Sequence, residues 1–386
     1  MEGHTSRDRH LFGSGPKNVL SLDGGGVRGV ISVAFLERIE AVLSAQAGND
    51  VRLGDHFDLI GGTSTGAIIA TGLALGKTTA EMKDIYHRLA PLAFRSSRFR
   101  IPFLQPKFDA TGLRREIGAI VGDQTLDSTA LRTGLGIVAK RADTASLWIV
   151  VNNPRAPYWD DPRDANFIGN KQYKLINLLR ASTAAPTYFE PESIPIVEKA
   201  KGLFIDGGVS PHNNPALALF MMARLKPYGL CWGTGPDKLT IVSIGTGGYR
   251  KQLNAASLGS MKNITIALHA LRTVIDDSEG LVLALMQWLG QSPTPWLVNS
   301  EIRDLLADEF PGGPMFRFLR YDVRLETDWL VEHLDLKLSA KDLARVREMD
   351  NPDSIPLAYQ IGREAAERQV RAEHWSGAES HASATL

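Results

Sequence analysis

The chain has 386 residues, 44% of them hydrophobic, and its 43 basic and 43 acidic side chains leave a formal net charge of zero. That balance excludes a global field drawing the protein onto nucleic acid or an anionic membrane. The single cysteine, Cys231, excludes an intrachain disulfide and a cysteine-based metal cluster.

The opening "MEGHTSRDRHLFGSGPK" is polar and lacks an apolar run. It predicts a flexible segment over 1–17, no signal peptide and a cytoplasmic protein. "NVLSL" is a short apolar run of the kind buried in a sheet. After a run of glycines, Val30, Val33, Ala34 and Ile39 fit one face of a helix. "FDLIGG" predicts a second strand, "AIIATGLALG" a helix closed by Gly76, and "AEMKDIYHRLAPLAF" another helix. Strand and helix alternate, which argues for a mostly parallel sheet covered on both faces.

Residues 91–108 then interleave Arg95, Arg98, Arg100 and Lys107 with Phe94, Phe99, Phe103 and Phe108. Two readings stand: a basic-aromatic loop that dips into an anionic lipid surface, or an extended loop whose phenylalanines pack on the body. A nucleic-acid groove is not expected, since no binding motif accompanies the cations.

"GLGIVAK", "SLWIVVNN", "GLFIDGG" and "LTIVSIGTG" predict further strands, about six before residue 250. "YKLINLLRASTAAP" reads as a connection plus helix, and Asn214 with Pro215 opens another. Beyond 250 the pattern turns helical. "NITIALHALRTVIDDSEGLVLALMQWLG" is a long helix, and "FRFLRYDVRL" is a lone strand. Ser339 lies three before Asp342 as a cap, and "AYQIGREAAERQVRAEHW" closes the pattern. The reading is a catalytic domain over 18–250, a mainly helical extension over 251–375 packed on it, and a disordered tail over 376–386.

Gly24-x-Gly26-x-x-Gly29 has the spacing of a dinucleotide fingerprint. That site also needs an acid at the tip of the next strand. "FDLIGG" ends in glycines, and Glu37 and Glu40 fall too early, inside the helix. A dinucleotide-binding protein is therefore the remote alternative. The next strand instead runs into Gly62-Thr63-Ser64-Thr65-Gly66, a G-x-S-x-G between strand and helix, the setting of a nucleophile elbow. Serine acyl transfer also needs donors for an oxyanion, and consecutive glycines in a turn can aim several amides into one concavity. Gly24, Gly25 and Gly26 suit this, with Arg28 adding positive charge. Asp206, at a strand end before two glycines, is the candidate base. The rival is a triad using His269 or His333. His212 follows the DGG segment and reads as a loop residue or a pocket lining.

"DGGGVRG", "GTSTG", "DGG" and the preceding "RASTAAPTYFEP", in this order, resemble the patatin-like phospholipases over roughly residues 18–250. The resemblance implies a three-layer α/β/α fold with a mostly parallel central sheet. It implies a Ser64–Asp206 dyad working without a catalytic histidine, metal or cofactor, and phospholipase A-type hydrolysis of acyl esters in phospholipids. Peripheral contact with a membrane through 94–108 goes with that substrate. Some bacterial relatives are effectors switched on by cyclic nucleotides in antiphage defence. This chain is similar to them in size and layout but shows no nucleotide signature, so a cyclic-nucleotide activator is the alternative reading. Oligomeric state is not legible.

Overall fold

The computed structural model describes residues 5–93, 107–163, 166–250 and 263–375. In chain order the first half holds α1 (Ser6–Phe12), β1 (Lys17–Leu22), α2 (Gly29–Ala47), α3 (Leu53–His56), β2 (Leu59–Thr63), α4 (Thr65–Ala74), α5 (Thr79–Ala93), α6 (Ala110–Val121), β3 (Gly134–Arg141) and β4 (Leu147–Val151). Then come α7 (Leu175–Ser182), β5 (Glu192–Val197), β6 (Ala200–Asp206), α8 (Ala216–Arg224), β7 (Leu239–Ile244), α9 (Asn263–Leu289), β8 (Gly290–Thr294), β9 (Phe316–Tyr321), α10 (Thr327–Leu334), α11 (Ala340–Arg347) and α12 (Ile355–Gln369).

The strands form one sheet in the order β5-β6-β3-β2-β1-β7-β9-β8, with β4 also paired to β3. From β3 to β8 every neighbour is parallel, while β4, β5 and β6 run antiparallel to their partners. The central strands β1, β2, β7 and β9 are buried along nearly their whole length because both faces are covered. Alternate side chains go to opposite faces. Leu20, Leu22, Val242, Ile244 and Leu319 join one core with α2, α4, α5, α6, α7 and α12. Val19, Leu59, Ile241, Phe316 and Phe318 join the other with α1, α8 and α9. This is the expected three-layer α/β/α arrangement.

Three expectations need correction. Residues 6–12 are not a flexible segment. Thr5 caps α1 by accepting the Asp8 amide at 3.1 Å, and Leu11 is buried in the second core. Lys17 already belongs to β1. The "lone" strand of the C-terminal part is not alone: β9 pairs with β7 through Thr240–Ile244 and carries β8 on its other side. Residues 263–375 therefore complete the central sheet, and α12 lies against α2 with Ile355, Ala358, Ile361 and Ala365 buried. The expected tail over 376–386 lies outside the described residues. Ser339 does cap α11, accepting the Asp342 amide at 3.1 Å.

Candidate active site

β2 ends at Thr63, and the chain turns at once into α4 through Ser64. That residue takes φ 54° and ψ −122°, a strained backbone for a residue with a Cβ. The turn is tight enough that a Cβ on Gly62 would meet the Gly66 carbonyl carbon at 2.2 Å, and one on Gly66 would meet the Leu22 oxygen at 2.2 Å. Glycine at both positions lets the elbow close against β1. The strain is held from outside. The Ser64 amide donates to the Ser182 hydroxyl at 2.9 Å, which itself donates to the Val138 carbonyl at 2.6 Å. Thr63 donates its hydroxyl to the His212 carbonyl at 2.6 Å.

Asp206 reaches Ser64 by an unexpected route. β6 runs antiparallel to β3, so its carboxyl end points opposite to those of β1 and β2. It pairs only with the last three residues of β3, Asp206 standing opposite Ala139, one position beyond the Thr63–Val138 pair. The strand thus descends from beyond the sheet edge and stops level with the elbow. The Ser64 hydroxyl donates to Asp206 Oδ2 at 2.6 Å, and the Gly208 amide donates to Oδ1 at 2.7 Å. Burial pushes the Asp206 carboxyl up to about 6. The Ser64 bond, the Gly208 amide and the Arg180 guanidinium oppose that rise. A carboxylate held this way is a base poised near neutrality.

The glycine loop follows β1 and faces the elbow, where a Cβ on Gly24 would lie 3.3 Å from the Ser64 Cβ. Its three amides are not equivalent. Gly24 donates its N–H to the Asn213 carbonyl at 3.1 Å, so it is not free for an oxyanion, which corrects the three-glycine expectation. Among the described residues no protein acceptor takes the amides of Gly25 or Gly26. A Cβ on Gly25 would run into Thr246 at 2.2 Å, and Gly26 sits at φ 60° against the Met349 carbonyl. Tyr86 bonds both the Gly26 carbonyl and the Thr65 hydroxyl, tying the loop to the elbow. Arg28 is buried behind the loop with Nε unpartnered.

Among the described residues, neither His212 nor His333 hydrogen-bonds the side chain of Ser64 or Asp206. His212 is half-buried, and its Nδ1 has no hydrogen-bond partner. Burial lowers its pKa, and it serves the site through its main chain. The His333 ring is exposed and stacks on Trp329. The side chain of His269 lies outside the described residues, as do residues 94–106 of the basic-aromatic loop. Of that loop's end, Lys107 pairs with Asp350 and Phe108 is buried.

A family profile, patatin-like phospholipase, matches residues 20–220, just over half of the chain and all of the elbow, glycine loop and Asp206. The chain belongs to the patatin-like phospholipase family. Two relatives are named cGAMP-activated phospholipase. The Vibrio cholerae protein is 29% identical over 252 residues, covering 62% of this chain and 67% of its own length. The Escherichia coli protein is 31% identical over 212 residues, covering 53% of this chain and 56% of its own. Among solved structures, the human GIVD cytosolic phospholipase A2 aligns over 97% of this chain and 59% of its own. It has a TM-score of 0.44 and 10% identity, a likeness too weak to add to the family match.

Several residues that brace this patatin-like site lie beyond position 220 and carry no signal of their own in the sequence. Thr246 donates to the Gly24 carbonyl at 3.0 Å. Behind the loop, Asp23, Glu279 and Asp322 converge within 4.8 Å of one another. The Arg320 guanidinium lies 2.8, 3.7 and 2.6 Å from them respectively. Burial raises the Asp23 and Glu279 carboxyls above the usual range. Asn213 follows the DGG segment, in "DGGVSPHNNPA", inside the stretch that matches the family. No described helix is long and apolar enough to cross a membrane.

Proposed function

We propose that this chain is a serine lipid acyl hydrolase of phospholipase A type, in which Ser64 is the nucleophile and Asp206 the base. The observation that carries the reading is the 2.6 Å hydrogen bond from a strained elbow serine to a buried carboxylate. Asp206 takes the hydroxyl proton as Ser64 Oγ attacks the acyl ester carbonyl. The tetrahedral oxyanion is held by the Gly25 and Gly26 amides, with Arg28 adding positive charge behind them. The carbon–oxygen bond to the lysolipid then breaks, and its oxygen takes the proton from Asp206. Water attacks the acyl-serine ester with Asp206 again as base, releasing a fatty acid and restoring the Ser64 hydroxyl.

A fluorophosphonate probe tests this directly, since it reacts with activated serines. Wild-type protein should label at Ser64. Ser64→Ala should not label at all, and Asp206→Asn should label at least about a hundredfold more slowly. Labelling unchanged in both variants would overturn the assignment.

The similarity to two cGAMP-activated phospholipases favours a second reading, a hydrolase gated by a cyclic nucleotide. The same labelling with and without cGAMP separates the two readings: acceleration supports gating, and an unchanged rate supports a constitutive enzyme. Contact with an anionic lipid surface through the segment expected over 94–108 is part of the proposal, supported by the alternation of cations and phenylalanines over 94–103, while Lys107, paired with Asp350, and the buried Phe108 take no part in it.

A further inference from the structure

We infer that Glu279, on α9 and outside the stretch that matches the family, is a positioning residue that sets the oxyanion loop through Asn213. The inference rests on the reading of Ser64 as an acyl-transfer nucleophile.

The contacts form a short chain. Gly24 is fixed through both of its main-chain polar groups: its N–H goes to the Asn213 carbonyl at 3.1 Å, and its carbonyl receives Thr246 Oγ1 at 3.0 Å and Asn213 Nδ2 at 3.4 Å. The same Nδ2 lies 3.4 Å from Glu279 Oε2. Glu279 is held in turn by Arg320, its Oε1 3.7 Å from the guanidinium.

The chemistry of the Asn213 amide makes Glu279 matter. An asparagine side chain has one donor end and one acceptor end, nearly identical in shape. Here the donor end faces two acceptors, the Gly24 carbonyl and the Glu279 carboxylate. Oδ1 occupies the space a Cβ would take on Gly24 (2.4 Å away) and on Gly208 (3.0 Å). A carboxylate can only accept, so its presence fixes which way the amide points. Without it only the long 3.4 Å contact to the Gly24 carbonyl orients the amide, and rotation, now less strongly opposed, sets Oδ1 against the Gly24 oxygen, two acceptors in contact. The peptide of Gly24 would then shift, and the amides of Gly25 and Gly26 follow it directly along the chain. Those amides stabilise charge that exists only in the transition state, so the loss belongs in kcat and not in KM.

The test uses the full chain and a soluble acyl ester. Glu279→Ala should lower kcat by about tenfold or more and leave KM within about twofold. Glu279→Gln, which keeps an acceptor oxygen, should recover kcat to within about threefold of wild type. Asn213→Ala should also lower kcat, and adding Glu279→Ala to it should cost little more, since both act through one contact. If Glu279→Ala does not fold, Glu279→Met, of similar volume and without an acceptor, replaces it. A lowered melting temperature with unchanged kcat, or costs that multiply in the double variant, would overturn the inference. Wild-type protein that fails to label at Ser64 would remove the reading beneath it. Wild-type labelling that persists at full rate in the Glu279 variants would remove the inference alone.

Discussion

At the scale of single residues, Asp206 has to be ionised to act as a base although it is buried. Its carboxyl is pushed up to about 6 from an ordinary 3.8. As a base it must be deprotonated, so kcat/KM on a soluble ester should fall below about pH 6, roughly tenfold per unit, in a pH–rate profile. The same shift has a stability consequence of opposite sign to a salt-bridged aspartate. The unfolded chain ionises first as pH rises, so the fold loses stability between about pH 4 and pH 6, by at most about 3 kcal/mol, and nothing further above that. Asp206→Asn should lack this loss and be at least as resistant to urea as wild type at pH 7, while being inactive. A variant clearly less stable than wild type at pH 7 would mean that the carboxylate holds the fold together. Ser64, Asp206, Gly62 and Gly66 were legible in the sequence because the turn chemistry that defines them is local. Asn213, Thr246 and Arg320 were not, because their meaning lies in contacts with the glycine loop across as many as 297 positions of sequence, as for Arg320 and Asp23.

At the scale of elements, the glycine loop is shaped by what lies against it. Gly25→Ala puts a Cβ 2.2 Å from Thr246 Oγ1, so loop or threonine must move. The expected result is a fall in kcat on the order of a hundredfold, the usual cost of losing an oxyanion donor, with KM little changed. An active Gly25→Ala enzyme would place the oxyanion elsewhere. The basic-aromatic segment makes a separate prediction. Reversing charge at Arg95, Arg98 and Arg100 should weaken binding to anionic vesicles, each cation contributing about 1 kcal/mol at such a surface, and should leave turnover of a soluble ester unchanged. Equal loss on both substrates would make the segment part of the pocket wall. Strands with continuous apolar runs were readable as elements. β5 was missed because Pro195 and its alternating exposure mark an edge strand, and β8, "GQSPT", has neither hydrophobicity nor β-propensity. Helix α1 did carry a signal in Thr5 and Asp8, but seven mostly polar residues gave no periodicity to read.

At the scale of the whole molecule, the boundary near residue 250 is the part of the sequence reading that the fold revises most. The change from alternating strands to helices is real in the sequence, yet β9 and β8 extend the same sheet and α12 covers α2. Periodicity shows where an element is and not which neighbour it will choose. A fragment of residues 18–250 would expose the β7 edge and one face of α2, and would leave Asp23 buried beside the loop without the Arg320 charge. It should not give a cooperative unfolding transition by circular dichroism, and a stably folded, active fragment would restore the two-part description. The central claim is that one serine, on one strained turn, hydrolyses lipid acyl esters. The most direct measurement is fatty-acid release from phospholipid vesicles by wild type and by Ser64→Ala, each shown to be folded, with cGAMP both present and absent. Wild type should release fatty acid under at least one of the two conditions, and Ser64→Ala none above background under either. Equal release by both proteins, or none by the wild type under either condition, would contradict the central claim.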